Sequence, residues 1–262
     1  MNNETSPPPA PLQNPKSKIQ NLTAVILTLN EAQHIGDCIA SVGWADEVIV
    51  LDSFSEDGTA ELARQAGATV YAAKFENYAA QRNIALGHVA TEWVLFVDAD
   101  ERVTAELAAE IGHVIATRPE AGWYIPRHNY IFGKLTLGAG WYPDYQARLF
   151  RTAAVRYDRP VHEVAEVQGE MGYLHNPLIH HNYTDPAQFH RKQAKYTAYG
   201  AEILRQEGIR PKFYTPYTQP LRHFWWRFIT LAGYKDGLHG LRLSLYLAYY
   251  EWQKYKAVSR KP

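Results

Sequence analysis

A short apolar segment that is followed by acidic residues limits most strongly how this chain can fold. Residues 93–97 are Trp-Val-Leu-Phe-Val, and Asp98-Ala99-Asp100 follow directly. Five consecutive apolar residues predict a strand that is buried on both faces. At extended spacing, the carboxylates of Asp98 and Asp100 point the same way. Such a pair suits Mg²⁺ or Mn²⁺ beside phosphate oxygens, and the alternative is an acidic turn that caps the next helix.

The first half of the chain alternates apolar segments with segments of helical periodicity. The predicted strands are 24–29, 47–51, 68–73 and 93–97, and the predicted helices are 32–42, 59–67, 75–87 and 103–117. This alternation predicts an α/β fold with a doubly wound, mostly parallel sheet. Ligands of such sheets bind beyond the carboxyl ends of the strands. The polar residues that fall there are Asn30, Glu31, Asp52, Asp98 and Asp100.

The pattern changes after about residue 120. Short strands are predicted at 123–126, 149–150 and 164–167, and helices at 189–207, 221–233 and 238–256, with a break at Pro211, Pro216 and Pro220. The predicted organisation is a leader at 1–20, a first half of the main domain at 21–120, a smaller mixed region at 121–185, and a helical extension at 186–262.

Composition limits the class of protein. The leader carries five prolines and lacks the apolar core of a secretory signal, which predicts a disordered segment and a cytoplasmic location. The single cysteine, Cys38, excludes a disulfide framework and a cysteine-rich zinc site. No nucleic-acid partner is expected.

The neutral net charge hides an uneven distribution. From Leu221 onward there are eight Lys or Arg residues against two acids, together with three of the seven tryptophans. A basic, aromatic segment behind an acidic body indicates an anionic surface as partner. We therefore expect residues 221–256 to lie in the plane of the inner face of the cytoplasmic membrane, and the alternative is that these helices pack on the main domain.

Four elements, in order, resemble family 2 glycosyltransferases of the GT-A type. They are Thr28-Leu29-Asn30-Glu31, Asp52 with Ser55-Glu56-Asp57-Gly58-Thr59, Gln81-Arg82-Asn83, and Asp98-Ala99-Asp100. The second half resembles, more narrowly, the bacterial lipopolysaccharide core branch of that family. That resemblance is carried by residues 141–151 (Trp-Tyr-Pro-Asp-Tyr-Gln-Ala-Arg-Leu-Phe-Arg), Val161-His162-Glu163, and Gly233-Tyr234-Lys235-Asp236-Gly237.

The resemblance implies a metal-dependent, inverting transferase that takes a hexose from a UDP-glucose-like donor. The acceptor would be a hydroxyl of a glycolipid or polysaccharide, with lipopolysaccharide core as the expected case. The metal, Mg²⁺ or Mn²⁺, would be held by Asp98 and Asp100. Residues 21–120 would bind the donor and residues 121–185 the acceptor. The implied nucleotide-sugar contacts are Thr28, Asn30, Glu31, Asp52, Arg82, Asp98 and Ala99.

Each of these residues also has a structural interpretation. Asp52 could form a turn instead of contacting the nucleotide, and Arg82 could be a surface charge instead of a diphosphate or base ligand. Asn30 and Glu31 could cap the following helix, and Asp57 favours a capping role.

The catalytic base is the least determined part of the site. The Glu-Asp pair that supplies it in many relatives is absent, and Val161-His162-Glu163 stands near its expected place. Glu163 is the favoured base and Asp144 the second, with His162 also able to accept a proton. The alternative for either carboxylate is an ion pair with a basic cluster, which could instead bind a diphosphate or an acceptor phosphate: Arg148, Arg151, Arg156 and Arg159. His175, His180 and His181 are expected to be structural.

Two other classes of protein stay open at this point. A nucleotidyltransferase acting on sugar phosphates would share the sheet and the acids, but it would normally open with a glycine-rich loop and a lysine after the first strand, which this sequence lacks. A non-catalytic protein that binds sugars or membranes would explain the aromatic residues but not the acids.

Overall fold

The computed structural model describes residues 18–158 and 165–259. Its strands are β1 (Ile19–Thr28), β2 (Ala45–Asp52), β3 (Thr69–Ala72), β4 (Trp93–Asp98), β5 (Glu101–Val103), β6 (Gly122–Ile131), β7 (Lys134–Thr136), β8 (Tyr145–Arg151), β9 (Val155–Tyr157), β10 (Ala165–Val167), β11 (Met171–Tyr173) and β12 (Leu178–Tyr183). Its α-helices are α1 (Ile35–Val42), α2 (Thr59–Gln65), α3 (Tyr78–Leu86), α4 (Ala105–Thr117), α5 (Pro186–Gln206), α6 (Thr215–Trp225) and α7 (Gly237–Ser259).

The described chain divides into two compact units. The first runs to Ile125 and includes Gln146–Leu178, and the second consists of Pro126–Tyr145 and the chain from Ile179 onward. The boundaries predicted at 120/121 and 185/186 stay a prediction, although β6 begins at Gly122 and α5 at Pro186. Of the predicted leader, residues 1–17 lie outside the described chain, while Ile19 and Gln20 already belong to β1.

The first unit is built on a sheet whose parallel part has the strand order β3-β2-β1-β4. The antiparallel β8 continues the sheet beside β4. Because β2 and β4 lie on opposite sides of β1, the strand order reverses at β1, and the carboxyl ends of β1 and β4 border the crevice where α/β sheets bind ligands. The predicted α/β fold class, with a doubly wound and mainly parallel sheet, is confirmed by this topology.

Alternation along the central strands builds a core on each face of the sheet. On β4, Trp93, Leu95 and Val97 pack with α1 and α4, whereas Val94 and Phe96 pack with α3 and with Phe150 of β8. All five side chains are at most 2% exposed. The prediction that this strand is buried on both faces is therefore confirmed, and side chains that continue the Val94–Phe96 face point toward α3.

The second unit has its own core. Ile131 of β6, Tyr183 of β12 and Phe189 of α5 pack against Leu243 and Leu247 of α7. Within the described residues, no helix is long and apolar enough to cross a membrane.

The proline-rich segment differs from its prediction. A break was expected through Pro216 and Pro220 before a helix at 221–233, but α6 already begins at Thr215. Proline is tolerated in the first turn of a helix, where its missing N–H has no partner in any case, and Pro216 lies there. Pro220 lies inside α6, and a π-helical turn at Trp226–Thr230 ends the helix.

Candidate active site

Three neighbouring strands bring polar side chains to one edge of the sheet. In the parallel register, Thr28 of β1 pairs with Asp52 of β2, and Leu27 of β1 pairs with Asp98 of β4. Asp52 and Asp98 therefore end their strands within one residue of the same level. Thr28 and Asp52 are 5% and 3% exposed, and within the described residues the Thr28 hydroxyl has no hydrogen-bond partner.

Two loops at this edge are tied together by side chains. The backbone N–H of Asn30 donates to Ser55 Oγ (2.8 Å). The side-chain Oδ1 of Asn30 accepts from the backbone N–H of Glu56 (2.9 Å). The Glu31 N–H donates to Thr59 Oγ1 (2.9 Å). Asn30 holds a left-handed backbone with φ 56°, which asparagine tolerates. The loops after β1 and β2 thus form one frame.

Asp57 and Asp52 stabilise this frame from within. Asp57 Oδ2 accepts from the Ala32 N–H (3.0 Å), and its Oδ1 accepts from the Thr59 hydroxyl. The hydrogen bond from Thr59, followed by that from Ala32, lowers the pKa of Asp57. Asp52 accepts from the Ser55 N–H (2.9 Å) and the Ser55 hydroxyl (2.5 Å). The N-cap of α2 is Gly58, without a side-chain capping hydrogen bond, so Asp57 is not the helix cap that was expected, although its Oδ1 accepts from the Thr59 N–H (3.1 Å). Asp52 forms the turn that was its alternative role.

Asp98 lies between two arginines. Its side chain continues the Val94–Phe96 face toward α3, which places it beside Arg82. Arg148 of β8 donates to both oxygens of Asp98, from Nη1 to Oδ1 at 3.1 Å and from Nη2 to Oδ2. Arg82 of α3 adds a longer ion pair, with Nη2 3.7 Å from Oδ1. Asp98, which is about a third exposed, thus faces two guanidinium groups.

Arg148 also holds a second carboxylate, which sequence reasoning missed. Its Nη2 donates to Glu101 Oε1 at 2.8 Å, and Glu101 is fully buried. Burial alone would lower the pKa of Arg148, but the charges of Asp98 and Glu101 outweigh that effect and raise it. Arg148 is therefore a permanently charged, 3% exposed centre that joins the end of β4 to β5.

Asp100 lies in a turn and not on the strand. Because β4 ends at Asp98, the extended spacing assumed for the two acids does not hold. Arg102 fixes this turn by donating from Nη1 to the Ala99 carbonyl (2.9 Å) and from Nη2 to the His34 carbonyl (3.0 Å). Burial, followed by the charge of Arg102, lowers the pKa of His34, and the nearby carboxylate of Asp100 opposes that change. The carboxylate of Asp100 therefore lies near enough to His34, the residue before α1, to influence its pKa.

Each residue of the Gln81-Arg82-Asn83 element has a distinct contact. Gln81 Nε2 donates to the Lys74 carbonyl (2.7 Å), and Asn83 exchanges two hydrogen bonds with the backbone of Tyr157 (2.6 and 3.1 Å). Arg82 is 8% exposed and stacks against Phe96 and Tyr157 at 5.1 and 5.5 Å. Its Nη1 has no partner within the described residues. The alternative of a solvated surface charge is therefore wrong for Arg82, because it is buried beside Asp98.

These acids fit a divalent cation only in combination with another ligand. Within residues 18–158 and 165–259, no group of three or more His, Cys, Asp or Glu residues is arranged to hold a metal ion. Mg²⁺ is commonly bound by one or two carboxylates together with phosphate oxygens of a substrate. Asp98 and Asp100 are two carboxylates of this kind at the end of β4, and both oxygens of Asp98 already accept hydrogen bonds from Arg148.

Of the candidate bases, Asp144 is the one that lies within the described residues. Glu163 and His162 lie outside the described residues. Asp144 belongs to the second unit, where its Oδ2 accepts from Arg127 Nε (2.9 Å), Arg127 Nη2 (2.6 Å) and Asn129 Nδ2 (3.2 Å). Asn129 is fully buried and its Oδ1 lies 2.7 Å from His180 Nδ1. Asp144 is thus paired with Arg127, a residue absent from the basic cluster suggested by the sequence.

The predicted basic cluster and histidines have mostly structural contacts. Arg151 pairs with Glu92 and stacks on Trp93 at 4.6 Å, and Arg156 lies opposite Glu166 in the β9–β10 pair. Arg159 lies outside the described residues. His175 bonds with Glu110, and the ring of His181 lies 5.8 Å from that of Tyr130.

Residues 23–146 match the sequence profile of the family described as Glycosyl transferase family 2. That segment, which contains Thr28, Asp52, Arg82 and Asp98, is a family 2 glycosyltransferase domain. The resemblance noted in the sequence is thereby confirmed.

The chain is also similar to individual proteins and to solved structures. The chain is 29% identical over 233 residues to the lipopolysaccharide core biosynthesis glycosyltransferase LpsC of Rhizobium meliloti (strain 1021), and the alignment covers 84% of each protein. An uncharacterized glycosyltransferase of Rickettsia felis is 39% identical over 100 residues, which span 38% of this chain and 35% of that protein. Among solved structures, S. aureus TarS 1–349 in complex with UDP is 17% identical with a TM-score of 0.46, covering 91% of this chain and 90% of that one.

Proposed function

We propose that this glycosyltransferase moves a hexose from a UDP-glucose-like donor to a hydroxyl of a glycolipid or polysaccharide, with lipopolysaccharide core as the acceptor. The observation that carries the donor side is the register of β1, β2 and β4, which brings Thr28, Asp52 and Asp98 to one edge. The likeness to LpsC, whose name states lipopolysaccharide core biosynthesis, supports the acceptor.

The loop frame is the proposed nucleoside site. Asp52, Asn30 and Glu31 border it, and their hydrogen bonds to Ser55, Glu56 and Thr59 hold it in place before the donor arrives. Preorganised polar groups spend little free energy on ordering when a ligand binds. The buried Thr28 hydroxyl and the backbone of Ala99 complete the donor side of the proposal.

The proposed diphosphate site lies beside Arg82, which neighbours Asp98. Among the described residues, Nη1 of Arg82 has no hydrogen-bond partner, and a guanidinium suits phosphate oxygens. Asp100, together with Asp98, would hold Mg²⁺ or Mn²⁺ against the same oxygens. A divalent cation held by these residues would supply charge neutralisation for the diphosphate leaving group. Arg148 holds Asp98 in place and keeps the carboxylates from repelling the donor.

Transfer is proposed to invert the anomeric carbon. One carboxylate takes the proton from the acceptor hydroxyl, whose oxygen then attacks the carbon from the side opposite the diphosphate. This needs one base and no covalent intermediate, unlike glycosidases that retain configuration with two carboxylates. Glu163 remains the favoured base and Asp144 the second, and the ion pair of Asp144 with Arg127 weakens the case for Asp144 because it stabilises the ionised form.

Glu163→Gln keeps the size of the side chain but removes its ability to take a proton. We expect kcat to fall by about 10²–10⁴-fold, the usual contribution of general base catalysis, with the affinity for UDP nearly unchanged. Asp144→Asn is the matched variant. Steady-state rates and calorimetry on both variants assign the base, and a loss confined to Asp144→Asn would move the role to Asp144.

The acceptor suggests where the enzyme works. We propose that it acts in the cytoplasm at the inner face of the cytoplasmic membrane, and that residues 221–256 take part in that contact. The basic and aromatic composition of this segment supports the proposal.

Slow hydrolysis of the donor tests the proposed reaction without an acceptor. The purified protein should release UDP from one of a panel of UDP-sugars, and the rate should depend on added Mn²⁺ or Mg²⁺. Formation of a nucleotide-sugar and pyrophosphate from a sugar 1-phosphate and UTP would instead assign the protein to the nucleotidyltransferases. Tight binding of UDP-sugars with no turnover in either assay would indicate a non-catalytic protein.

A further inference from the structure

One face of α6 carries large apolar side chains that are open to solvent. Phe213, which immediately precedes the helix, is 90% exposed, and Tyr217, Leu221 and Trp225 are 68%, 72% and 63% exposed. A spacing of four residues places these side chains along one face of the helix. We call this surface the α6 face, and its members are Phe213, Tyr214, Tyr217, Leu221, Trp225, Trp226 and Ile229.

The segment that carries the α6 face contains charges of one sign only. Residues 208–235 contain five Lys or Arg and no Asp or Glu. Arg227 is directed inward and donates to the Ala139 carbonyl at 2.7 Å. The other four are exposed: Arg210, Lys212, Arg222 and Lys235. The segment that carries the α6 face is therefore basic, and the nearest acids in the sequence are Glu207 before it and Asp236 after it.

We propose that the α6 face is the surface that docks on an anionic lipid bilayer. Tryptophan and tyrosine favour the headgroup region, and each exposed cation near an anionic surface strengthens binding about fivefold. At 11 residues α6 is far too short to span a bilayer, so it lies in the interface plane. A second copy of the chain fits less well, since a symmetric pairing of the face would bring the same four cations together.

The α6 face begins at Phe213, so the proposed membrane contact starts before the segment 221–256 that was expected from sequence. On α7, Leu243 and Leu247 belong to the core of the second unit, and Trp252 is half-buried. Phe213 and Tyr217, which precede residue 221, are among the most exposed apolar side chains. The biological reason for docking rests on the proposed transfer to a lipid-linked acceptor. The exposed side chains that form the α6 face do not depend on that proposal.

Vesicle flotation of the full-length protein tests the docking. The wild type should float with phosphatidylcholine vesicles that contain phosphatidylglycerol, and it should release as salt rises because exposed charges are screened. Leu221→Ser with Trp225→Ser should lower the partition coefficient by at least about tenfold. Tyr196→Ser with Tyr199→Ser is the control, because these α5 residues are 60% and 50% exposed and lie outside the α6 face.

Quenching by brominated lipids locates the contact. Bromines on the upper acyl chain should quench tryptophan fluorescence in the wild type. In Trp225→Phe with Trp226→Phe, most of that quenching should disappear while flotation persists, since phenylalanine keeps the apolar surface.

The outcomes separate docking from the transfer reaction. UDP-sugar hydrolysis in solution should be equal in the wild type and the Leu221–Trp225 double variant. If the wild type hydrolyses UDP-sugars but does not float, the docking proposal is wrong and the proposed transfer reaction stands. If it floats but does not hydrolyse UDP-sugars, the docking proposal stands and the proposed reaction is wrong. A concentration-dependent dimer by light scattering that the double variant loses would assign the α6 face to a second copy instead.

Discussion

Asp100→Asn should abolish metal-dependent binding of UDP and reduce donor turnover by at least about 10³-fold. A metal at a diphosphate contributes several kcal/mol to charge stabilisation, and a neutral amide holds it poorly. Asp100 lies in the turn fixed by Arg102, outside the strand, whereas Asp98 is bonded by Arg148 at both oxygens. We therefore expect Asp100 to be the main protein ligand. Calorimetry of UDP with and without Mn²⁺ measures the effect.

Asp98→Asn is the informative comparison. It should keep more of the metal-dependent increase in UDP affinity than Asp100→Asn does, but it should lose stability because Arg148 keeps only one of its two carboxylate partners. If UDP binding stays metal-dependent in Asp100→Asn and loses its metal dependence in Asp98→Asn, then Asp98 and not Asp100 is the main metal ligand.

Arg148→Met should cost about 3–5 kcal/mol in the free energy of unfolding, the usual loss when one member of a buried ion pair is removed. Methionine keeps most of the apolar volume, so the loss reports the charge. Glu101 is fully buried and would keep a carboxylate without the guanidinium that faces it. Urea unfolding followed by circular dichroism measures the difference.

Arg151→Met provides the control for Arg148→Met. Arg151 lies on the same strand and pairs with Glu92, but the two side chains are 33% and 55% exposed. Exposed pairs contribute about 0–1 kcal/mol, so this variant should remain close to the wild type. Equal losses in the two variants would show that the Asp98–Arg148–Glu101 group does not stabilise the fold as described.

The parallel part of the fold could be predicted from sequence because its signals are local. The apolar run at Trp93–Val97, the acids that follow it and the helical periodicity between strands each depend on neighbouring residues. Strand ends were less accurate: β1 begins at Ile19, five residues before the predicted start. Short strands such as β7, β9 and β11 were missed, since three residues carry no periodicity that separates a strand from a loop.

The partners of the site residues could not be predicted because they come from distant segments. Arg148 lies 50 positions from Asp98, and nothing local separates it from Arg151, which makes an exposed pair. Glu101 directly follows the predicted acids, and the run Asp98–Glu101 could have been recognised as three acids in four residues. The pairing of Asp144 with Arg127 likewise depends on where β6 runs.

The central claim is transfer of a sugar from a nucleoside diphosphate donor to a glycolipid, and mass spectrometry of the product tests it most directly. The enzyme is incubated with a panel of UDP-sugars, Mn²⁺ and glycolipids extracted from a lipopolysaccharide-producing bacterium. We predict that one donor adds the mass of a single hexose to a core glycolipid, with release of UDP and an inverted anomeric configuration by NMR. No mass increase with any donor, from enzyme that binds UDP and is folded, would contradict the account.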